Sequence, residues 1–218
     1  MRKIAEAIFN ARLFIMARRR MAVVAVLLSG CFMQSAFAYD SAKLEAALDT
    51  LSTETFPDWK EKANAGDSLA QNVLGMAYKY GRVTQPSHAL SLHWFQKAAA
   101  QGDADAQFNL GRIYGKATGV YGKQRAALRD DVTAAYWYRK AAEQNYAPAQ
   151  FNLAQMYAEG SPSFPLDLAQ AFFWMQLTSA GGDQNASAQL KKYESELSAA
   201  DRDRARILAA EWTQQHRQ

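Results

Sequence analysis

Cysteine is almost missing from this chain: one residue, Cys31, among 218. A chain processed after residue 38 would have none, which excludes disulfide staples and a cysteine nucleophile. Histidine is scarce as well. His88 and His93 are five residues apart, about 140° around a helix, so they do not form the i, i+4 pair of a helical metal site. His216 stands far from both. No glycine-rich phosphate loop, nucleophile elbow or cysteine pair is present. Glu194 and Glu196 are two apart and point to different helical faces, against a catalytic carboxylate pair. The sequence therefore implies no catalytic residue, no metal and no cofactor, and the chain reads as a non-enzyme.

A true excess of positive charge is also missing. The net charge of +4 comes from residues 1–38, where Arg2, Lys3, Arg12, Arg18, Arg19 and Arg20 face one acid, Glu6. Residues 39–218 hold 19 basic and 20 acidic residues. Nucleic-acid binding, which rests on phosphate neutralisation, loses its main support. No apolar run is long enough to span a bilayer as a stable helix. The longest, Met21 to Met33, follows Arg18-Arg19-Arg20 and precedes Ala36-Phe37-Ala38, a small-x-small site. This is the layout of a cleavable secretory signal over residues 1–38, and it predicts an exported, periplasmic chain starting at Tyr39. Residues 1–20 make a long leading region, so Met21 is an alternative start. Leu28-Ser29-Gly30-Cys31 offers a second reading, a lipobox that would anchor the chain to a membrane through Cys31. A membrane partner follows only from that reading.

What the chain does have is repetition. Ala70-Gln71-x-x-Leu74-x-x-x-Tyr78 recurs as Ala106-Gln107-x-x-Leu110-x-x-x-Tyr114 and as Ala149-Gln150-x-x-Leu153-x-x-x-Tyr157. A weaker copy holds Ala186 and Leu190. The leucines are 36, 43 and 37 residues apart, a period that signals stacked helix pairs. Ala, Leu and Tyr at i, i+4 and i+8 share one face of a first helix, A. A second helix, B, carries Trp94, Trp137 or Trp174, predicted to fill the space between helices. Gly75 and Gly111, one residue after the leucine, predict a close approach of the paired helix; Ala154 takes that place in the third copy. Gly66, Gly102 and Asn145 suit left-handed turns from B into the next A.

These residues predict repeat 1 over 67–102, repeat 2 over 103–145 and repeat 3 over 146–182. Residues 39–66 are expected to form an N-terminal helical cap. Residues 183–218 are expected to hold a degenerate repeat and a capping helix, with Ser198 and Asp201 as a capping-box variant and Ile207, Leu208 and Trp212 as its apolar stripe. Repeat 2 is longer through Lys116 to Asp130, a loop with Lys116, Lys123, Arg125 and Arg129 around Tyr121. Repeat 3 has a smaller insertion, Ser161 to Pro165.

The Ala-Gln-x-x-Leu-Gly-x-x-Tyr core, the Gly119-Val120 loop, the Asp131 or Asp167 opening helix B and the Trp-Tyr-x-Lys-Ala-Ala ending resemble the SEL-one-like repeat (SLR) family, relatives of the tetratricopeptide repeats. The resemblance covers about Asp67 to Gly182. It implies an all-α, right-handed helical-repeat solenoid that holds other proteins. It also implies that residues two before and two after each leucine face the groove: Asn72 and Met76, Phe108 and Arg112, Phe151 and Gln155. An extended protein or peptide segment could pair with the amides there and seat against Phe and Arg. For Phe108 and Phe151 the competing reading is packing between repeats. The expected function is a cell-envelope interaction scaffold. The alternatives are an envelope enzyme acting on peptidoglycan-type substrates and a lipidated accessory of polysaccharide export.

Overall fold

Aspartates start half of the ten described helices. In the computed structural model, which describes residues 41–115 and 130–216, Asp67, Asp103, Asp167 and Asp183 sit in β or extended backbone. Each carboxylate accepts from the amide three residues on, Ala70, Ala106, Gln170 and Ala186. Such caps satisfy a helix N–H that has no partner of its own and contribute about 1 kcal/mol each. Asp130 caps in the same way, bonding the amides of Val132 and Thr133. The helix-opening residue is therefore Asp130, one place before the Asp131 expected from the sequence. At the other ends, Gly66, Gly102 and Gly182 take φ of 101°, 93° and 92°, and Asn145 takes 60°. Gly66, Gly102 and Asn145 make the left-handed turns expected of them, and Gly182 makes a further one.

The helices in chain order are α1 (Ser41–Asp49), α2 (Phe56–Asn64), α3 (Ser68–Tyr80), α4 (His88–Ala100) and α5 (Ala104–Tyr114). After them come α6 (Asp131–Ala142), α7 (Ala147–Glu159), α8 (Leu168–Ala180), α9 (Gln184–Glu196) and α10 (Ala199–Gln215). Each packs on the next from α2 to α9, and α10 folds back onto α8. Among the described residues there is no strand, and only one isolated bridge, Ser161 to Phe164, closes the small insertion of repeat 3. The array is an all-α solenoid of A–B pairs: α3 with α4, α5 with α6, α7 with α8. The leader with Cys31, and the basic loop from Lys116 to Arg129, lie outside the described residues.

The glycines explain how closely A and B approach. A Cβ added at Gly75 would lie 2.5 Å from the Phe95 ring, and one at Gly111 would lie 2.5 Å from the Tyr138 ring. Phe95 and Tyr138 are therefore the side chains wedged deepest between paired helices, and both are buried. Each lies one residue after a tryptophan expected to fill that space. Trp94 and Trp174 are buried as expected, and only Trp137 departs, being half-buried. In repeat 3 the same two registers hold Ala154 and Met175, a slightly larger residue opposite a more flexible one. A second correction concerns α10. Its packed stripe is Ala205, Ala209 and Trp212, at i, i+4 and i+7, whereas Ile207 and Leu208 are exposed. Trp212 lies against Trp174 and Phe173 and donates from Nε1 to Asn145 Oδ1 at 3.3 Å.

Gly111→Ala should lower stability by about 1–3 kcal/mol through overpacking against Tyr138. Adding Tyr138→Met, which recreates the Ala and Met of repeat 3, should restore part of that loss. A double-mutant cycle read by urea unfolding measures it. Strictly additive effects would show that the glycine does not serve the ring.

Candidate functional site

The residue after each repeat alanine is a glutamine, and its work is structural. Gln71, Gln107 and Gln150 donate from Nε2 to the carbonyls of Ala63, Ala99 and Ala142, at 3.0, 3.2 and 3.2 Å. Those carbonyls belong to the last turns of the preceding B helices. Gln101 and Gln144 then donate to Oε1 of Gln71 and Gln107, both at 2.8 Å. Each glutamine thus joins its own repeat to the one before.

On the adjoining face of the A helices the polar residues are of another kind. Lys79, in the last turn of α3, is 4% exposed and donates from Nζ to Asn109 Oδ1 on α5 at 2.7 Å. Asn109 is oriented in turn by its own amide, which donates to the Asp105 carbonyl at 3.0 Å. Arg112, one turn further along α5, rests its guanidinium over the Phe108 ring at 5.8 Å. Burial, and then repulsion from Arg112, lower the Lys79 ammonium to about 7. At the other end of α5, the Tyr146 hydroxyl donates to Asp105 Oδ1 at 2.5 Å. Burial raises Asp105 to about 6 against the pull of that bond. Burial also raises Asp103 to about 6, opposed by the amides of Ala106 and Asp105 and by Asn72. The Tyr146 hydroxyl is pushed well above its ordinary range by burial and by Asp105. Asp105 Oδ2 and Asn72 Oδ1 are buried with no hydrogen-bond partner.

The face is therefore polarised. Asp105 lies in the first turn of α5 and Arg112 in its last, about 10 Å further along at a rise of 1.5 Å per residue, with Lys79 of α3 bonded to Asn109 between them. Buried charges without an opposite partner cost stability and cluster at functional sites. Lys79 bonds an amide oxygen, and no carboxylate or imidazole bonds it. Among the described residues no group of three or more His, Cys, Asp or Glu is placed to hold a metal.

Of the residues expected to face the groove, Arg112, Phe108, Met76, Phe151 and Gln155 are all half-buried on the A helices. Phe108 packs on Tyr146 at 5.2 Å and Tyr138 at 5.8 Å, and Phe151 joins the largest core cluster, so part of each ring serves packing. Asn72 does not face an open groove. It is fully buried, and its amide donates to Asp103 Oδ1 at 2.9 Å, a link from repeat 1 to the cap of α5. The physical reason is that Asn72 meets the aspartate cap of α5 across the repeat joint.

Lys79, Asp105, Asn109 and Tyr146 were not singled out from the sequence. The signal was there as departures from the repeat. Counting from the leucines, Lys79 aligns with Gly115 and Ala158, Asp105 with Leu69 and Pro148, and Arg112 with Met76 and Gln155. Tyr146 occupies the register of the capping Asp67 and Asp103. It makes no side-chain cap, and Pro148 sits in the first turn instead.

Comparison with known proteins places this geometry. The Sel1 repeat family model matches residues 68–103, 104–146 and 147–183, just over half of the chain. No curated protein matches. Among solved structures, the chain is similar to c5321, a protective antigen of uropathogenic Escherichia coli strains with an SLR fold. Identity is 28%, the TM-score is 0.58, and the match covers 75% of this chain and 33% of that one. The chain thus spans about a third of that relative's length. It is also similar to a Sel1 repeat protein from Oxalobacter formigenes, at 28% identity and a TM-score of 0.52, covering 62% of this chain and 96% of the other.

The raised carboxyls give a signed pH prediction. A carboxyl that holds its proton more tightly when folded contributes stability below its unfolded value, and that contribution is lost as pH rises through about 6. Asp105→Asn keeps the acceptor for Tyr146 and removes the charge. It should be more stable than the native chain above pH 6, by about 1–3 kcal/mol, with the difference vanishing toward pH 4. Urea unfolding at several pH values measures the difference. A gap that widens toward pH 4 would reverse the assignment.

Proposed function

The chain belongs to the Sel1 repeat family, a family of protein–protein interaction scaffolds, and we propose that it is an exported, periplasmic member holding a segment of a partner protein along its A-helix face. The observation that carries this reading is the pair Lys79 and Arg112. Both are cations on successive A helices, and neither has an anionic partner among the described residues. In a superhelix of paired helices the concave side is an extended binding surface. Half-buried Met76, Phe108, Arg112, Phe151 and Gln155 supply adaptable, aromatic and guanidinium contacts of the kind that anchor interfaces. The Ala36-Phe37-Ala38 site supports export with Tyr39 as the first mature residue. The envelope-enzyme and polysaccharide-export alternatives draw on no feature of this face.

Two experiments test the proposal. A photo-crosslinking residue at Gln155 should capture one dominant partner in cells, while the same probe at exposed Tyr136 on α6 should not. Arg112→Ala should weaken that capture at least tenfold and leave the helical circular dichroism unchanged. Equal capture from both positions would move the working surface off the A helices. Mass spectrometry of the processed chain should begin at Tyr39. A lipid-modified Cys31 would place the protein on a membrane instead.

A further inference from the structure

We propose that the chain pairs with a second copy of itself through an antiparallel, two-fold contact between α10 helices, centred on Ile207 and Leu208. This surface lies at the end of the array and is separate from what the A-helix face holds.

Two sides of α10 are already occupied. Ala205 and Ala209 are buried and Trp212 packs on Trp174 of α8. On one flank Arg202 donates to the Glu194 carbonyl at 3.0 Å, and Arg206 pairs with the Glu194 carboxylate, tying α10 to α9. The other flank carries Arg204, Ile207, Leu208, Glu211 and Gln215, all exposed. They stand at i, i+3, i+4, i+7 and i+11, a single stripe of the kind that meets another helix. Ile207 and Leu208, at its centre, are 58% and 43% exposed. One exposed leucine is ordinary. Here two adjacent apolar side chains lie in the middle of a helix-packing stripe, beside a cleft. The cleft has a volume of about 200 Å³ between α8 and α10, and Leu208, Glu211 and Gln215 line it with Phe173.

The charges identify what covers the stripe. Arg204 and Glu211 flank the apolar pair, and neither has an ion pair or hydrogen bond among the described residues. They are two helical turns apart, about 10 Å along the axis, too far to meet each other. Two copies placed antiparallel, with the two-fold axis between Ile207 and Leu208, satisfy both. Arg204 of each copy then faces Glu211 of the other, and Ile207 of each faces Leu208 of the other. Ala200 falls opposite Gln215, a small residue against a long one. A parallel pair sets arginine against arginine and glutamate against glutamate, so the charges choose the direction as well as the occupant. Both copies use the same patch, as a two-fold contact requires. Ile207 is also positioned to enter the cleft beside Leu208 of the other copy. A contact of one helix pair is smaller than a standard interface, so the dimer is weak and forms at micromolar concentrations or above.

Sedimentation of the full chain purified from cells, over about 1–500 μM, tests this. The native chain should pass from monomer to dimer across that range. Arg204→Glu and Glu211→Arg each place like charges across the axis and should weaken dimerisation at least tenfold. Both sites are exposed, so helical circular dichroism should be unchanged. Mixed one to one, the two variants should dimerise with each other, because every arginine or new arginine again meets a glutamate. Leu208→Asp should abolish pairing of the otherwise native chain. A native chain that stays monomeric throughout overturns the proposal and leaves the stripe to a different protein. Single variants that dimerise as well as the native chain also overturn it. So does loss in the single variants without recovery in the mixture.

Discussion

Stacking helix pairs buries the last carbonyls of one B helix beneath the A helix of the next repeat, and a buried carbonyl without a donor costs about 1–3 kcal/mol. This requirement ties the whole array together. The glutamine after each repeat alanine meets it, reaching back eight residues to Ala63, Ala99 and Ala142. The turn glycines and Asn145, the aspartate caps and the buried alanines act at the same joints. The glutamine is buried at all three positions because it must span a joint that excludes water.

Much of this was legible from one sequence because a repeat array writes its fold several times. Leu74, Leu110 and Leu153 fixed the registers, and the Ala-Gln-x-x-Leu-x-x-x-Tyr positions carried the same residues three times. The glycine at Gly75 and Gly111 could be read as close approach from type alone. The ring it admits could not, because Trp94 is larger than Phe95 and drew attention away from it. A difference of one residue on a helix is a rotation of about 100°, and composition does not reveal which of two adjacent aromatics faces the partner.

The site was legible in part, and the reason is sequence separation. Arg112 and Phe108 were found by their place relative to Leu110. Asn72 was placed by the same rule and proved buried, because its environment is set by Asp103, 31 residues away. Lys79 meets Asn109 across 30 residues and Tyr146 meets Asp105 across 41. Such contacts depend on how repeats stack, which no single repeat encodes. Reading the repeats against each other, and asking where a charge replaces an apolar or small residue, is the sequence operation that recovers Lys79, Asp105 and Arg112.

The distribution of these departures divides the labour of the array. Registers that hold Lys79, Asp105 and Arg112 in repeats 1 and 2 hold Ala158, Pro148 and Gln155 in repeat 3, so charge is concentrated at the first joint. The largest hydrophobic cluster lies on the other side. It runs from Ala104 through α6, α7 and α8 to Ala209, with Trp212 packed against it. In a solenoid, stability is approximately a sum of terms within repeats and between neighbours, so a costly joint can be tolerated when the adjacent units are strong. The buried cations and carboxyls between α3 and α5 are such a cost. Their placement next to the best-packed part of the chain lets the first joint remain polar, and so available for recognition, without the array coming apart there.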